Sequence, residues 1–321
     1  MAKTTETAVS HAAKRKVIFV TGTGHCGSTL LDMILGSHSQ AFSLGQISKA
    51  PSRLREADGR GLCEICGPGC EFWDSQESRR LLQRYFGAAL EQGSRFRRAY
   101  ARLNAAGLDF YAELSRISGA PVLVDSSKSV WWIRKQMRSF WSWRNATPYL
   151  VFIQRDGRAV VNSLMRKQGR DRLVAITASW LDSVQQIEEL YADFPQDRRH
   201  RLAYEDLASR PEHTIRELCA RLNIAFEPEM LRYWRHDHHL ISGNSGTYSA
   251  LLRYRQEFAG ASEGQHAAAG QDLDMVDREY YDQLGMAIRL DLRWKREMSE
   301  AEVNYFERFA GESNERYRYS A

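Results

Sequence analysis

The run Val17-Ile-Phe-Val-Thr-Gly-Thr-Gly-His-Cys-Gly-Ser-Thr-Leu-Leu31 constrains this chain more than any other segment. A β-branched apolar stretch passes into a Gly-rich loop, and the loop opens directly into an amphipathic helical pattern. Strand, loop and helix in that order make a phosphate cradle, in which backbone N–H groups and the positive helix end gather anionic oxygens. Gly22 and Gly27 have the spacing of a Walker A loop, yet Ser28 stands where the lysine of Gly-Lys-Ser/Thr belongs. That lysine reaches the outer phosphates of a triphosphate. Its absence argues against ATP or GTP chemistry and for a nucleotide with a shorter phosphate arm.

The rest of the chain reads as α/β. Short apolar runs bounded by polar turns predict strands at Val17–Thr21, Ala41–Leu44, Val122–Val124, Pro148–Gln154 and Arg199–Ala203. Helical patterns lie between them, at Ser28–Gly36, Arg158–Arg166, Leu173–Tyr191 and Pro211–Leu222. Gln76–Leu90 and Ser94–Ile117 read as a helical insertion after the second strand, spanning about residues 50–118, and Glu300–Tyr317 as a terminal helix. Strands alternating with helices imply a P-loop-like parallel sheet flanked by helices, with ligands at the strand C-terminal ends. Residues 17–321 are expected to form one domain, Met1–Lys16 a disordered leader, and Gly260–Gly270 a low-complexity mobile loop.

The net charge of +5 suits an anionic ligand, but the arginines are scattered rather than clustered, so no nucleic-acid partner is expected. There is no apolar run long enough to span a bilayer and no signal core at the N-terminus, which predicts a cytoplasmic protein. Cys63, Cys66 and Cys70 form a C-x-x-C-x-x-x-C group among Gly and Pro. With a fourth ligand from elsewhere they could hold zinc, or two of them could pair. Without a second paired cluster, the expectation is a surface insertion with reduced thiols and no metal.

A second anion site follows the fourth strand, in Gln154-Arg-Asp-Gly-Arg-Ala-Val-Val-Asn-Ser-Leu-Met-Arg166. Arg155 leaves the strand end and Ser163 follows on the next helix. A planar guanidinium fork and a rotatable hydroxyl together suit a phosphate monoester.

With both blocks in view, the chain resembles the PAPS-dependent sulfotransferases, especially the bacterial and carbohydrate/protein branches. Thr21–Leu31 resembles their 5′-phosphosulfate loop and Gln154–Arg166 their 3′-phosphate motif. Leu202-Ala-Tyr-Glu-Asp-Leu-Ala-Ser-Arg-Pro211 resembles the strand end that follows. Val124-Asp-Ser-Ser-Lys128, His239-Leu-Ile-Ser-Gly-Asn244 and Ile288-Arg-Leu-Asp-Leu-Arg-Trp294 also resemble bacterial members, all in family order. The resemblance implies 3′-phosphoadenosine 5′-phosphosulfate (PAPS) as donor, its desulfated product PAP, and no catalytic metal. It implies that Gly24, His25, Cys26, Gly27, Ser28 and Thr29 hold the 5′ end and that Arg155 and Ser163 hold the 3′-phosphate. Tyr204 would lie near the adenine, and Gly243 and Asn244 would close over the nucleotide. The acceptor would be a hydroxyl, less often an amine, of a small molecule, carbohydrate or peptide. A homodimer stays open.

Two positions depart from the family pattern. His25 stands where Arg or Lys is usual, so its charge depends on protonation, which adjacent phosphates would favour. Gln46 stands where a Glu base is found in relatives, and an amide cannot accept the acceptor's proton. Lys128 is then the expected cation at the leaving group or sulfuryl oxygens, and Asp125 a candidate base or an orienting group. His236, His238 and His239 read as a His-rich surface turn, with an approach to the acceptor as the alternative. Val130-Trp-Trp-Ile-Arg and Phe140-Trp-Ser-Trp143 are packing aromatics, or else acceptor walls. Two other functions compete: a P-loop kinase or NTPase with Asp125 as its nearest Mg²⁺ ligand, and a nucleotide-binding relative that has lost turnover.

Overall fold

Five strands pair in parallel in the order β2-β3-β1-β4-β5. They are β1 (Arg15–Thr21), β2 (Ala41–Ser43), β3 (Val122–Asp125), β4 (Ala146–Gln154) and β5 (Arg199–Ala203). The structure, a computed structural model, describes residues 15–55, 61–91, 94–138, 146–258 and 285–319. Parallel strands covered on both faces are apolar throughout rather than alternating. Accordingly Val17, Ile18, Phe19 and Val20 are all buried, and Ile18 lies between Val124 of β3 and Tyr149 of β4. β1 begins at Arg15, inside the segment expected as a leader; the rest of that segment and the expected loop at Gly260–Gly270 lie outside the described residues.

From β1 the chain turns through α1 (Ser28–Gly36) toward β2 and β3, then returns past β1 to β4 and β5. The connections leaving β1 and β4 therefore diverge in opposite directions. Such a reversal opens a crevice at the C-terminal strand ends, where α/β sheets bind ligands.

The insertion between β2 and β3 holds α2 (Ala50–Arg55), α3 (Gln76–Leu90), α4 (Arg95–Ala105) and α5 (Phe110–Ser118). The single helix expected over Ser94–Ile117 is broken: Gly107 takes a left-handed φ of 78° between α4 and α5. Asp109 restarts the helix by accepting the Ala112 N–H. After β3 come α6 (Val130–Met137), then α7 (Gly157–Gln168) and α8 (Leu173–Asp193) behind β4, and α9 (Tyr204–Ser209) and α10 (Pro211–Leu222) behind β5. α10 starts with Pro211 and stops where Asn223 turns left-handed. The sequence places α11 (Ser245–Phe258) next, and a C-terminal helix, Glu300–Asn314, opens with a Ser299/Glu302 capping box.

The C-terminal helix is keyed into the turn after β4. The buried Asn314 amide accepts the Gly157 N–H at 2.7 Å and donates to Asp156, and Asp156 also receives the Tyr319 N–H at 3.0 Å. Phe306 and Trp180 pack so tightly on Gly157 that a β-carbon there would lie 2.6 Å from each. Asn314→Ala leaves the Gly157 donor buried without an acceptor. It is expected to cost about 1–3 kcal/mol in denaturant unfolding; an unchanged midpoint and slope would contradict this reading.

Candidate functional site

The Gly-rich loop joins β1 to α1 through a left-handed turn, with φ of 58° at His25 and 90° at Gly27. At Gly27 only a glycine is tolerated, because a β-carbon would lie 2.6 Å from the Tyr204 ring. α1 then starts at Ser28 with no side-chain cap, so the free N–H groups of its first turn remain directed out of the helix end. At Gly24 the reverse holds: the space a side chain would fill is open. The Cys26 side chain faces inward beside Gly22 and is fully buried, so of the expected loop contacts it offers only its main chain.

Arg155 reaches this loop from the end of β4. Its Nη1 donates to the His25 carbonyl at 2.8 Å, and its Nη2 donates to both the main-chain oxygen and the carboxylate of Asp291 at 3.1 Å. The guanidinium lies over the Tyr204 ring, 4.4 Å from its centroid. Arg293 grips the same carboxylate with two bonds of 2.8 and 2.9 Å. Burial opposes ionisation of Asp291, but the two guanidinium groups hold its carboxyl well below the usual carboxylate range. Ser163 Oγ stands 3.0 Å from His25 Nδ1, so the second anion motif touches the first.

These groups line one cleft of about 900 Å³. Gly24, His25, Gly27, Thr29, Lys128, Arg155, Ser163, Tyr204, Gly243 and Asn244 all border it. Thr29 accepts the Asn244 N–H at 2.9 Å, which brings the Gly243–Asn244 strap against α1. Lys49 and Lys167, which the sequence did not single out, add positive charge, whereas Asp291 is the one carboxylate lining the cleft among the described residues. That field bears on His25. Burial, then Lys128, Lys167, Arg155 and Arg166, push its imidazole down to about 4. The His25 imidazole is thus neutral at physiological pH when no anion is bound.

Asp125 has the surroundings of the orienting group rather than of the base. It is 0% exposed and borders no part of the cleft. One carboxylate oxygen accepts from Tyr111 Oη and Trp132 Nε1, both at 2.8 Å, and the other from the Ser127 N–H at 2.9 Å. Burial raises its pKa, and the donors act against that rise. It braces the turn that presents Lys128, which itself adopts a left-handed φ of 61°. Asp125 is thus placed to orient Ser127 and Lys128 rather than to meet a group in the cleft. Gln46 and Trp131 do border the cleft, Trp131 being 69% exposed, while Trp132 is core; Phe140–Trp143 lie outside the described residues. None of the three neighbouring histidines lines it. His236 and His238 bond to main-chain oxygens of Glu229 and Tyr233, and His239 turns to the cysteine insertion.

Residues 17–228 match the family model described as the sulfotransferase family. The chain belongs to that family. This sulfotransferase is similar in fold to the sulfotransferase domain from the curacin biosynthetic pathway: 18% identity, 95% of this chain and 99% of the other covered, TM-score 0.52. It is comparably similar to the sulfotransferase domain of the Synechococcus PCC 7002 olefin synthase: 19% identity, 94% and 96% covered, TM-score 0.51. No curated protein sequence matches it. The family span includes the loop, Arg155, Ser163 and Tyr204 but ends before Asn244 and Asp291, which fold back onto the same cleft.

Asp125→Asn sets an amide donor against one of three N–H or O–H donors. The substitution is expected to lower unfolding free energy by about 1–3 kcal/mol. A variant as stable as the parent but without turnover would restore Asp125 to the chemistry.

Proposed function

We propose that the cleft binds PAPS and that this sulfotransferase moves its sulfuryl group to a hydroxyl of a small-molecule, carbohydrate or peptide acceptor. The observation that carries this reading is the meeting of two anion-binding elements, the Gly-rich loop and Arg155 with Ser163, in a single cation-lined cleft. The residues suit a nucleotide with phosphate at both ends. Arg155 has two nitrogens fixed by His25 and Asp291, and its buried Nε is left without an acceptor. Space over Gly24 is open for a phosphate approaching the backbone. A kinase or NTPase is disfavoured because Asp125 is sealed in the core and Asp291 is committed to two arginines.

PAPS supplies an activated sulfuryl group whose transfer, like phosphoryl transfer, rests on positioning and charge balance rather than covalent catalysis. The loop N–H groups and Lys128 offset charge on the departing phosphate side. Ser163 orients the His25 ring through Nδ1. Gln46 borders the cleft but cannot take a proton, so acceptor deprotonation falls to the solvent or comes late. Acceptors with acidic hydroxyls are favoured accordingly, and Trp131 offers an aromatic wall at the cleft for a flat ring.

Calorimetric titration with PAP, followed by mass spectrometry of a phenol and sugar library incubated with PAPS, tests the assignment. Micromolar PAP binding with an added sulfuryl mass on an acceptor is expected; tighter binding of Mg²⁺-ATP than of PAP would overturn it. Arg155→Ala should weaken PAP by about 1.5–3 kcal/mol, roughly tenfold to a hundredfold. Unchanged affinity in a folded variant would remove Arg155 from the site.

His25 gives a pH signature. Its free-state pKa of about 4 lies below the ordinary 6.5, and bound phosphate would offset the surrounding cations and raise it. Between the free and bound values the complex holds more protons than the free enzyme. The His25 share of PAP binding near pH 5.5 is therefore proton uptake, which weakens binding as pH rises. Titrations in buffers of different ionisation enthalpy measure the proton count, and the parent is expected to take up more protons than His25→Asn; equal counts would remove His25 from the linkage.

A further inference from the structure

The cysteine insertion is not the surface turn that its composition suggests. Cys63 and Cys70 are buried, Cys66 is partly so, and all three are free thiols. His239, more than 160 residues later in the chain, completes the group: its Nδ1 lies 3.3 Å from both Cys66 Sγ and Cys70 Sγ. The three sulfurs and this nitrogen all lie within 4.8 Å of one another. In a tetrahedral zinc shell, with bonds near 2.3 Å to sulfur and 2.0–2.1 Å to nitrogen, the ligand atoms stand about 3.6–3.8 Å apart. The four donors are already gathered to nearly that separation.

We propose that Cys63, Cys66, Cys70 and His239 form a structural zinc site. Three thiolates and an imidazole are a donor set that favours zinc, and four protein ligands leave no open position for catalysis. The surroundings are those of a built site. The Cys66 N–H donates to Cys63 Sγ at 3.3 Å and the Trp73 N–H to Cys70 Sγ at 3.4 Å, bonds that favour thiolate over thiol. Left-handed Gly67 and Gly69 wind the chain between the thiols, and Asp74 anchors the Gly69 and Cys70 N–H groups at 2.7 and 3.0 Å. The imidazole lies near-parallel to Phe42 and Phe72, and Trp73 Nε1 donates to the His239 carbonyl. Its ring is held with Nδ1 toward the sulfurs.

Such a site would fasten the insertion to the strap beside the cleft. Immediately after His239, Leu240 accepts the Glu64 N–H at 2.9 Å and Ile241 accepts the Gln46 N–H at 2.7 Å. Gly243 and Asn244 follow, against Thr29. A loop with little regular structure of its own gains a cross-link that a small apolar cluster alone does not supply.

The test is the metal content of the full chain, purified reduced and dialysed against metal-free buffer, measured by plasma mass spectrometry without nucleotide. Its outcome is therefore independent of the donor reading. About one zinc per chain is expected. Cys66→Ser and His239→Ala should bind metal at least about tenfold less, and Cys219→Ser should keep it. Because the first two variants can unfold, two further measurements stand without them. Chelated parent protein refilled with Co²⁺ should show the intense visible bands of tetrahedral cobalt thiolate, and His239→Cys should retain the ion with stronger sulfur-to-metal charge transfer. A reduced parent chain that carries no zinc and takes up neither Zn²⁺ nor Co²⁺ would overturn the proposal, as would a disulfide between any two of the three cysteines in freshly isolated protein.

Discussion

A single guanidinium ties the cleft together. Arg155 bonds to the main chain of the Gly-rich loop on one side and to Asp291 on the other, and it lies over the ring of Tyr204, which in turn packs against Gly27. Parallel pairing of β1 with β4 sets this geometry, because it brings the end of one strand beside the loop of the other. Buried positive charge of this kind is stable only when paired, and Asp291 does the pairing. With both distal nitrogens engaged, the guanidinium is held in place and keeps its Nε–H and the second Nη1 hydrogen as remaining donors. Pre-organisation of that sort reduces the ordering cost of gripping an anion.

Burial, and after it the same concentration of cations, explains the state of the imidazole in the loop. A lysine or arginine at position 25 would add a permanent charge to a pocket already bordered by Lys49, Lys128, Lys167 and Arg155. Under the proposed function, histidine would carry that charge only with an anion there to compensate it. The free cleft thus avoids part of the self-repulsion that a further fixed cation would bring.

Local signals made most of the framework legible. Runs rich in β-branched residues mark β1, β3 and β4, and the Gly-rich turn and the Arg155–Ser163 block stand out by residue type, because backbone conformation and residue chemistry there are short-range properties. The failures are tertiary or conformational. Gly107 breaks a helix whose side chains keep the helical period across it, so the pattern alone joins α4 to α5. Asp125 sits at a strand end where ligands usually gather, yet Tyr111 from α5 and Trp132 from α6 close over it. Asp291 meets Arg155 across 136 positions and His239 meets Cys66 across 173, separations at which no sequence window carries a signal.

The docking of Glu300–Asn314 has a practical corollary for anyone dissecting this enzyme. A fragment cut to the family-matched span would forfeit Asn314 and Phe306, baring Trp180 and the apolar backs of α7 and α8, and would strip Arg155 of its carboxylate partner at the same stroke. The segment that carries the recognisable signature is therefore shorter than the unit that can hold its own arginine in place.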